Sequence, residues 1–188
     1  MKVGRNSVYF LAMLLLVSTI FVSGCTDEGN GAGGSEAVES GDMVQVDYTG
    51  KFEDGTVFDT SREEVAQEAG VYNPQREYAP LTLLVGTGQL IEGFEEGLIG
   101  MKEGEEKTLT IPPEKAYGEY NESWVQAIPL EDLNMSEKPE VGQVYSSMYG
   151  GQFKVVAVNE THVTLDPNHE LAGKTLVFDV EVVSIEKA

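Results

Sequence analysis

Cysteine occurs once in the 188 residues, histidine twice, and lysine plus arginine only 12 times against 32 acidic residues. A single cysteine excludes an intrachain disulfide and any thiolate-rich metal centre. His162 and His169 are too few for a dedicated metal site, so neither a metal nor a cofactor is expected. With a net charge of −20, the surface repels phosphate backbones and anionic lipid heads, which argues against nucleic acid as a partner. Solubility accounts for the acidic excess without any cationic ligand.

Long apolar runs are scarce as well. The main one, Val8 to Val22, follows Lys2 and Arg5 and ends in Val22-Ser23-Gly24-Cys25. It falls short of the roughly 20 residues a helix needs to cross hydrocarbon, so residues 1–24 read as a cleaved signal peptide. Their removal leaves 10 basic against 32 acidic residues, a net charge of −22. The small residues before the cysteine resemble the lipobox of prokaryotic lipoproteins. That likeness implies lipid attachment at Cys25 and a protein exported to the outer face of the cell membrane. Residues 25–41, rich in glycine, serine and acid, are expected to form a flexible tether.

What remains, residues 42–188, suffices for one compact domain with a modest insertion. From Met43 to Tyr48 the apolar residues Val44 and Val46 alternate with Gln45 and Asp47, the period of a half-buried strand. Asp54-Gly55 marks a tight reversal into a second strand with Val57 and Phe58. Leu81–Val85, Lys107–Ile111 and Leu176–Ile185 read as further strands. Leu90, Ile91, Phe94, Leu98 and Met101 recur at helical spacing, which predicts one helix lying across the sheet. A shorter helix is expected over Arg62–Ala69, with Ser61 and Glu64 as a capping box and Gly70 as its end. Such an antiparallel sheet on one helix is an α+β architecture.

Residues 122–166 look like a separate, mostly β insert, with strands at Phe153–Val158 and His162–Leu165 and turn points at Gly142, Gly150 and Gly151. The region also holds the sequons at Asn121, Asn134 and Asn159, acceptors for glycosylation on an exported surface.

Several motifs together resemble the FKBP family of peptidyl-prolyl isomerases. They are Val46-Asp47-Tyr48-Thr49-Gly50 with Asp54 to Asp59, Gly86 to Glu95, Ala116-Tyr117-Gly118, and the last strand from Leu176 to Glu181. The borders of the insert, Tyr117 to Gln126 and Asn168 to Leu176, resemble those of the SlyD-like branch with its inserted flap. The long stretch Arg62–Tyr78 resembles an extension of archaeal members, and the His-rich tail of many SlyD proteins is missing. The resemblance implies an antiparallel, bent sheet wrapped around a short helix, formed by residues 42–121 and 167–188, with the flap inserted between them.

It further implies an aromatic cup for proline. The catalytic set would be Tyr48, Phe58, Asp59, Tyr117 and Phe178, with Leu81, Leu90, Ile91 and Phe94 binding substrate and Phe94 as the floor. Asp59 would orient Tyr48 or the substrate, or else cap the hairpin end. Leu81 and Phe94 stand where many relatives carry phenylalanine and tryptophan, which implies a roomier cup. Partners would be unfolded or proline-containing polypeptides, met by a monomer tied to the membrane through its N-terminus. The flap would capture chains through Trp124, Val125, Ile128, Met135, Tyr145, Met148 and Tyr149. The alternative is a non-catalytic holdase acting through the insert alone. A solute-capturing lipoprotein needs two larger lobes, and the chain is too short for them.

Overall fold

The computed structural model describes residues 36–133, 138–146 and 151–188. The leader, Cys25, residues 26–35 of the expected tether, Asn134, Met135, Met148, Tyr149 and Gly150 lie outside the described residues. The strands are β1 (Met43–Phe52), β2 (Val57–Thr60), β3 (Leu81–Leu84), β4 (Glu106–Ile111), β5 (Gln126–Pro129), β6 (Val144–Ser146), β7 (Gln152–Val158), β8 (His162–Asp166) and β9 (Leu176–Glu186). Two short helices, α1 (Glu63–Ala69) and α2 (Glu92–Leu98), accompany them. Among the described residues no helix is long and apolar enough to cross a membrane.

β1 is the hub of the larger sheet. Its first half pairs with β3, its second half with β2, and nearly its whole length with β9, which in turn pairs with β4; every pairing is antiparallel. The two-residue period puts Val44 and Val46 of β1 and Leu176, Phe178, Val180 and Val182 of β9 into one core. Lys51 of β1 pairs with Asp179 of β9, and Arg62, just before α1, pairs with Glu181 of β9. The hairpin turns at Asp54-Gly55 as expected, with Gly55 at φ +86° and the Asp54 carboxylate accepting the Thr56 N–H at 2.9 Å.

α2 is shorter than its periodicity predicts. Leu90 and Ile91 precede it and Met101 follows it, because the backbone at Ile91 and Ile99 is extended and the Leu90 N–H is drawn to the Glu95 side chain. Phe94 and Leu98 point into the core. A β-carbon on Gly93 or Gly97 would come within 2.5 Å of Ile111 or Leu109, so two glycines one turn apart let the helix settle directly on β4.

The capping box expected for α1 does not form. Arg62 is the N-cap, while the Ser61 hydroxyl donates to Asp47 at 2.6 Å and accepts the Tyr48 N–H at 2.9 Å. A serine held by two partners on β1 is not free to cap. Gly70 ends the helix in the left-handed region, as its residue type dictates.

The tether expected to run to residue 41 is also corrected. Val38 is 1% exposed and joins the core, its N–H bonded to the Met101 carbonyl at 2.7 Å and its carbonyl accepting the Gly100 N–H at 2.9 Å. Asp42, likewise buried, accepts the Glu39 N–H and the Lys187 ammonium. Average composition hid one apolar residue with a place in the core.

Strands β5 to β8 form a second antiparallel sheet in the order β5-β8-β7-β6, with Val155 and Val163 buried in it. The strands expected at 153–158 and 162–165 are its centre. β5 and β6, of four and three residues, are too short to show alternation and were not anticipated. The two described sequon asparagines each cap a turn: Asn121 accepts the Ser123 N–H at 3.0 Å, and Asn159 accepts the N–H groups of Thr161 and His162 at 2.9 and 2.7 Å.

A chain beginning at residue 42 should therefore be less stable than one beginning at residue 34. Fully burying a valine is worth about 1.5–3 kcal/mol, so Val38→Ala alone should lower the unfolding free energy by about that amount. Urea unfolding of the two lengths and of the substitution checks it; equal midpoints for all would show that Val38 holds nothing.

Candidate functional site

Four aromatic rings meet where β1, β2, β9 and α2 converge. Phe178 meets Phe94 edge to face at 5.2 Å between ring centres and Phe58 at 5.7 Å, while Tyr48 stands edge-on to Phe94 at 6.3 Å. Their approach depends on Gly50, which lies opposite Phe178 in the β1–β9 register. A β-carbon there would sit 2.7–2.9 Å from both the Phe58 and Phe178 rings. Only glycine leaves room for this cluster.

These rings back a cavity of about 470 Å³. Phe94 and Phe178 lie at its base, both buried, and Leu81, Leu90 and Ile91 supply aliphatic wall. Asp59 and Tyr117 border it too, so all nine side chains expected at the site are brought together on one cavity, joined by Gln89, Glu92 and Ala116. Tyr117 is 41% exposed, and its ring lies parallel on that of His169, 3.9 Å away.

The polar groups at the edge are tied to one another. The Tyr48 hydroxyl donates to Asp59 at 2.7 Å and accepts from Arg76 at 2.9 Å; Arg76 also donates to Asp59. Asp59 further accepts the Thr60 N–H at 2.9 Å, so it both orients Tyr48 and caps the strand end. Burial first, and then the Asp59 carboxylate, push the Tyr48 hydroxyl up to about 12. The hydrogen bond to Asp59 raises Arg76 above its ordinary value. Burial, with the charges of Asp59 and Glu170, raises Tyr117 as well. At neutral pH both tyrosines therefore keep their protons and can donate.

Arg76 was not anticipated. It is the only basic residue between Arg62 and Lys102, a signal that an acidic chain keeps a cation there for a reason. The long stretch after α1 delivers it: the Tyr72 and Tyr78 rings stack at 5.5 Å, the Tyr78 hydroxyl accepts the Asn73 N–H, and Arg76 lies over the Tyr78 ring.

Glu95 is the other residue whose role the sequence concealed. Though only 5% exposed, its carboxylate accepts the N–H groups of Gly86, Gly88 and Leu90 at 2.9, 3.2 and 2.9 Å. It folds the loop before α2 onto the cavity wall and sets Leu90 and Ile91 in place. Burial alone would raise its pKa, but these donors outweigh burial and hold it below the ordinary carboxylate value.

Among the described residues no cluster of histidine, cysteine and acid could hold a metal. The arrangement offers a cup walled by aromatic and aliphatic side chains, with tyrosine hydroxyls and the Asp59, Gln89 and Glu92 side chains beside them.

The family described as FKBP-type peptidyl-prolyl cis-trans isomerase matches residues 34–183. A short-type peptidyl-prolyl cis-trans isomerase of Methanocaldococcus jannaschii is 49% identical over 152 residues, 80% of this chain and 96% of its own. The FKBP-type 16 kDa peptidyl-prolyl cis-trans isomerase of Escherichia coli (strain K12) is 30% identical over 158 residues, 82% of this chain and 97% of its own. The FKBP-type isomerase SlyD of Vibrio cholerae is 34% identical over 154 residues, 80% of this chain and 70% of its own.

Glu95→Gln replaces an oxygen with an amide donor against backbone N–H groups. It should cost roughly 1–3 kcal/mol of stability and lower kcat/KM through the displaced loop. Because the folded pKa is depressed, the Glu95 contribution is complete above the unfolded value near 4.5 and is lost as pH falls through the lower folded value. Wild-type stability measured from pH 6 down to pH 3 should thus fall more steeply than that of the substituted protein. Parallel curves would refute the assignment.

Proposed function

Because the chain belongs to the FKBP-type peptidyl-prolyl cis-trans isomerase family, we propose that its substrates are X-Pro bonds of unfolded or partly folded exported proteins, captured for the cavity by the insert. The chain is a peptidyl-prolyl cis-trans isomerase, and the gathering of nine expected side chains around one aromatic cavity carries the assignment of the active site.

Rotation about the peptide bond faces a barrier of about 18–20 kcal/mol, because resonance places negative charge on oxygen and double-bond character on C–N. Water favours that charge separation. A prolyl ring seated over Phe94 and Phe178 and walled by Leu81, Leu90 and Ile91 loses this water. The planar ground state suffers more from the loss than the twisted transition state, in which the nitrogen lone pair is localised. The Tyr117 hydroxyl at the rim donates to a substrate carbonyl and fixes the direction of rotation. Tyr48 and Asp59, satisfied by each other and by Arg76, give the cavity a polar edge that competes for no proton. No acid or base is consumed.

Capture is supported by the surface of the insert. Trp124 is 54% exposed, and Val141, Val144 and Val156 are exposed as well, whereas Val125, Ile128 and Tyr145 are half-buried. A groove of about 1050 Å³ runs between the insert and the larger sheet, lined by Val144 and Val156 on one side and Phe52 and Phe58 on the other. Weak binding there raises the local concentration of proline bonds at the cavity. The leader places the enzyme outside the membrane, held by lipid on Cys25.

Catalysis of a proline-limited refolding reaction, otherwise taking tens of seconds or more, is the test. Residues 34–188 should accelerate it; an unchanged slow phase would defeat the enzymatic reading. Tyr117→Phe should lower kcat/KM by a factor of roughly 2–12, the equivalent of one hydrogen bond of about 0.5–1.5 kcal/mol. Deleting residues 122–166 should spare turnover of a short peptide and abolish suppression of aggregation, whereas a holdase would lose its only activity.

Cys25→Ser should release the full-length protein from the membrane fraction. Retention there would refute the lipid anchor.

A further inference from the structure

The prolyl cavity and the groove beside the insert share a wall. Phe58 lines both, and Tyr117 of the cavity lies face to face with His169 of the groove, 3.9 Å between ring centres and 2° between planes. His169 belongs to the segment that leaves β8 and returns to β9. That segment is fixed: the Asn168 side chain accepts the Asn121 N–H at 3.0 Å and donates to the Asn121 carbonyl at 3.1 Å, and the Gly173 N–H donates to the Gly118 carbonyl at 2.8 Å. The imidazole is fixed too. Its Nδ1 accepts the Leu171 N–H at 3.1 Å, which leaves the proton of the neutral ring on Nε2. Tyr117, by contrast, is substantially exposed, and its hydroxyl has no hydrogen-bond partner among the described residues. Its orientation rests on the stacked ring.

We propose that His169 is a positioning residue: it holds the Tyr117 ring so that the hydroxyl faces the substrate carbonyl, and it forms the threshold over which a chain lying in the groove enters the cavity. The proposal rests on the isomerase reading and assigns to the return segment of the insert a part in the chemical step. Without the imidazole, Tyr117 samples other rotamers and must be ordered anew in each transition state. Immobilising one such side chain corresponds to about a threefold to tenfold change in rate.

The test is a double-mutant cycle on the full domain with a proline tetrapeptide, too short to occupy the groove. His169→Ala should lower kcat by about threefold to tenfold with little change in KM, and His169→Phe, which keeps a flat ring, should recover most of the loss. In a Tyr117→Phe background the same His169→Ala change should have no further effect, because the hydroxyl it positions is gone. Thermal unfolding of each variant separates loss of fold from loss of positioning. An unchanged kcat in His169→Ala, an equal further loss in the Tyr117→Phe background, or no recovery with His169→Phe would each overturn the proposal. A wild-type protein inactive on the tetrapeptide would instead defeat the isomerase reading beneath it.

Discussion

A wall of aromatic and aliphatic side chains cannot leave a buried polar group beside it without a partner, and this constraint organises the protein around its cavity. A lone buried donor or acceptor costs about 1–3 kcal/mol. The Tyr48 hydroxyl, the Asp59 carboxylate and the Arg76 guanidinium close on one another, and Glu95 gathers three backbone N–H groups that the loop before α2 would otherwise present unpaired. Among the described residues no buried side-chain nitrogen or oxygen lacks a partner. Tyr117 falls outside the rule, since it is exposed at the rim of the cavity.

Much of the larger sheet was legible, because alternation along β1 and β9 follows directly from one buried face, and the residue motifs identify a family whose cup gathers distant side chains. What was not legible depends on contacts between elements. Glu95 reads as one more acid on an acidic helix until the loop it ties is seen. Gly50 is one letter of a motif in the sequence, and only the packed rings show its task, which is to lack a side chain under Phe58 and Phe178. Ser61 carries a sound capping pattern, overridden by two hydrogen bonds to β1. Val38 was averaged away in a polar stretch, although one valine with a matching hole is enough to order its neighbours.

The insert exposes apolar side chains without offering a long edge for strand addition. Its outer strands β5 and β6 span four and three residues, and β5 ends in Pro129, which cannot donate to a neighbouring strand. Exposed Trp124 and Val144 thus come with short, interrupted edges, and stickiness is confined to side chains.

The docking of Val38 bears on what happens when the chain ahead of residue 36 is pulled. Tension arriving from that side meets Val38, clasped by Gly100 and Met101, and then Asp42, gripped by Lys187, before it reaches β1. β1 is the strand that carries Tyr48 and Gly50. The clasp therefore stands between any load applied ahead of residue 36 and the strand that shapes the cavity, and would act as a strain relief for it.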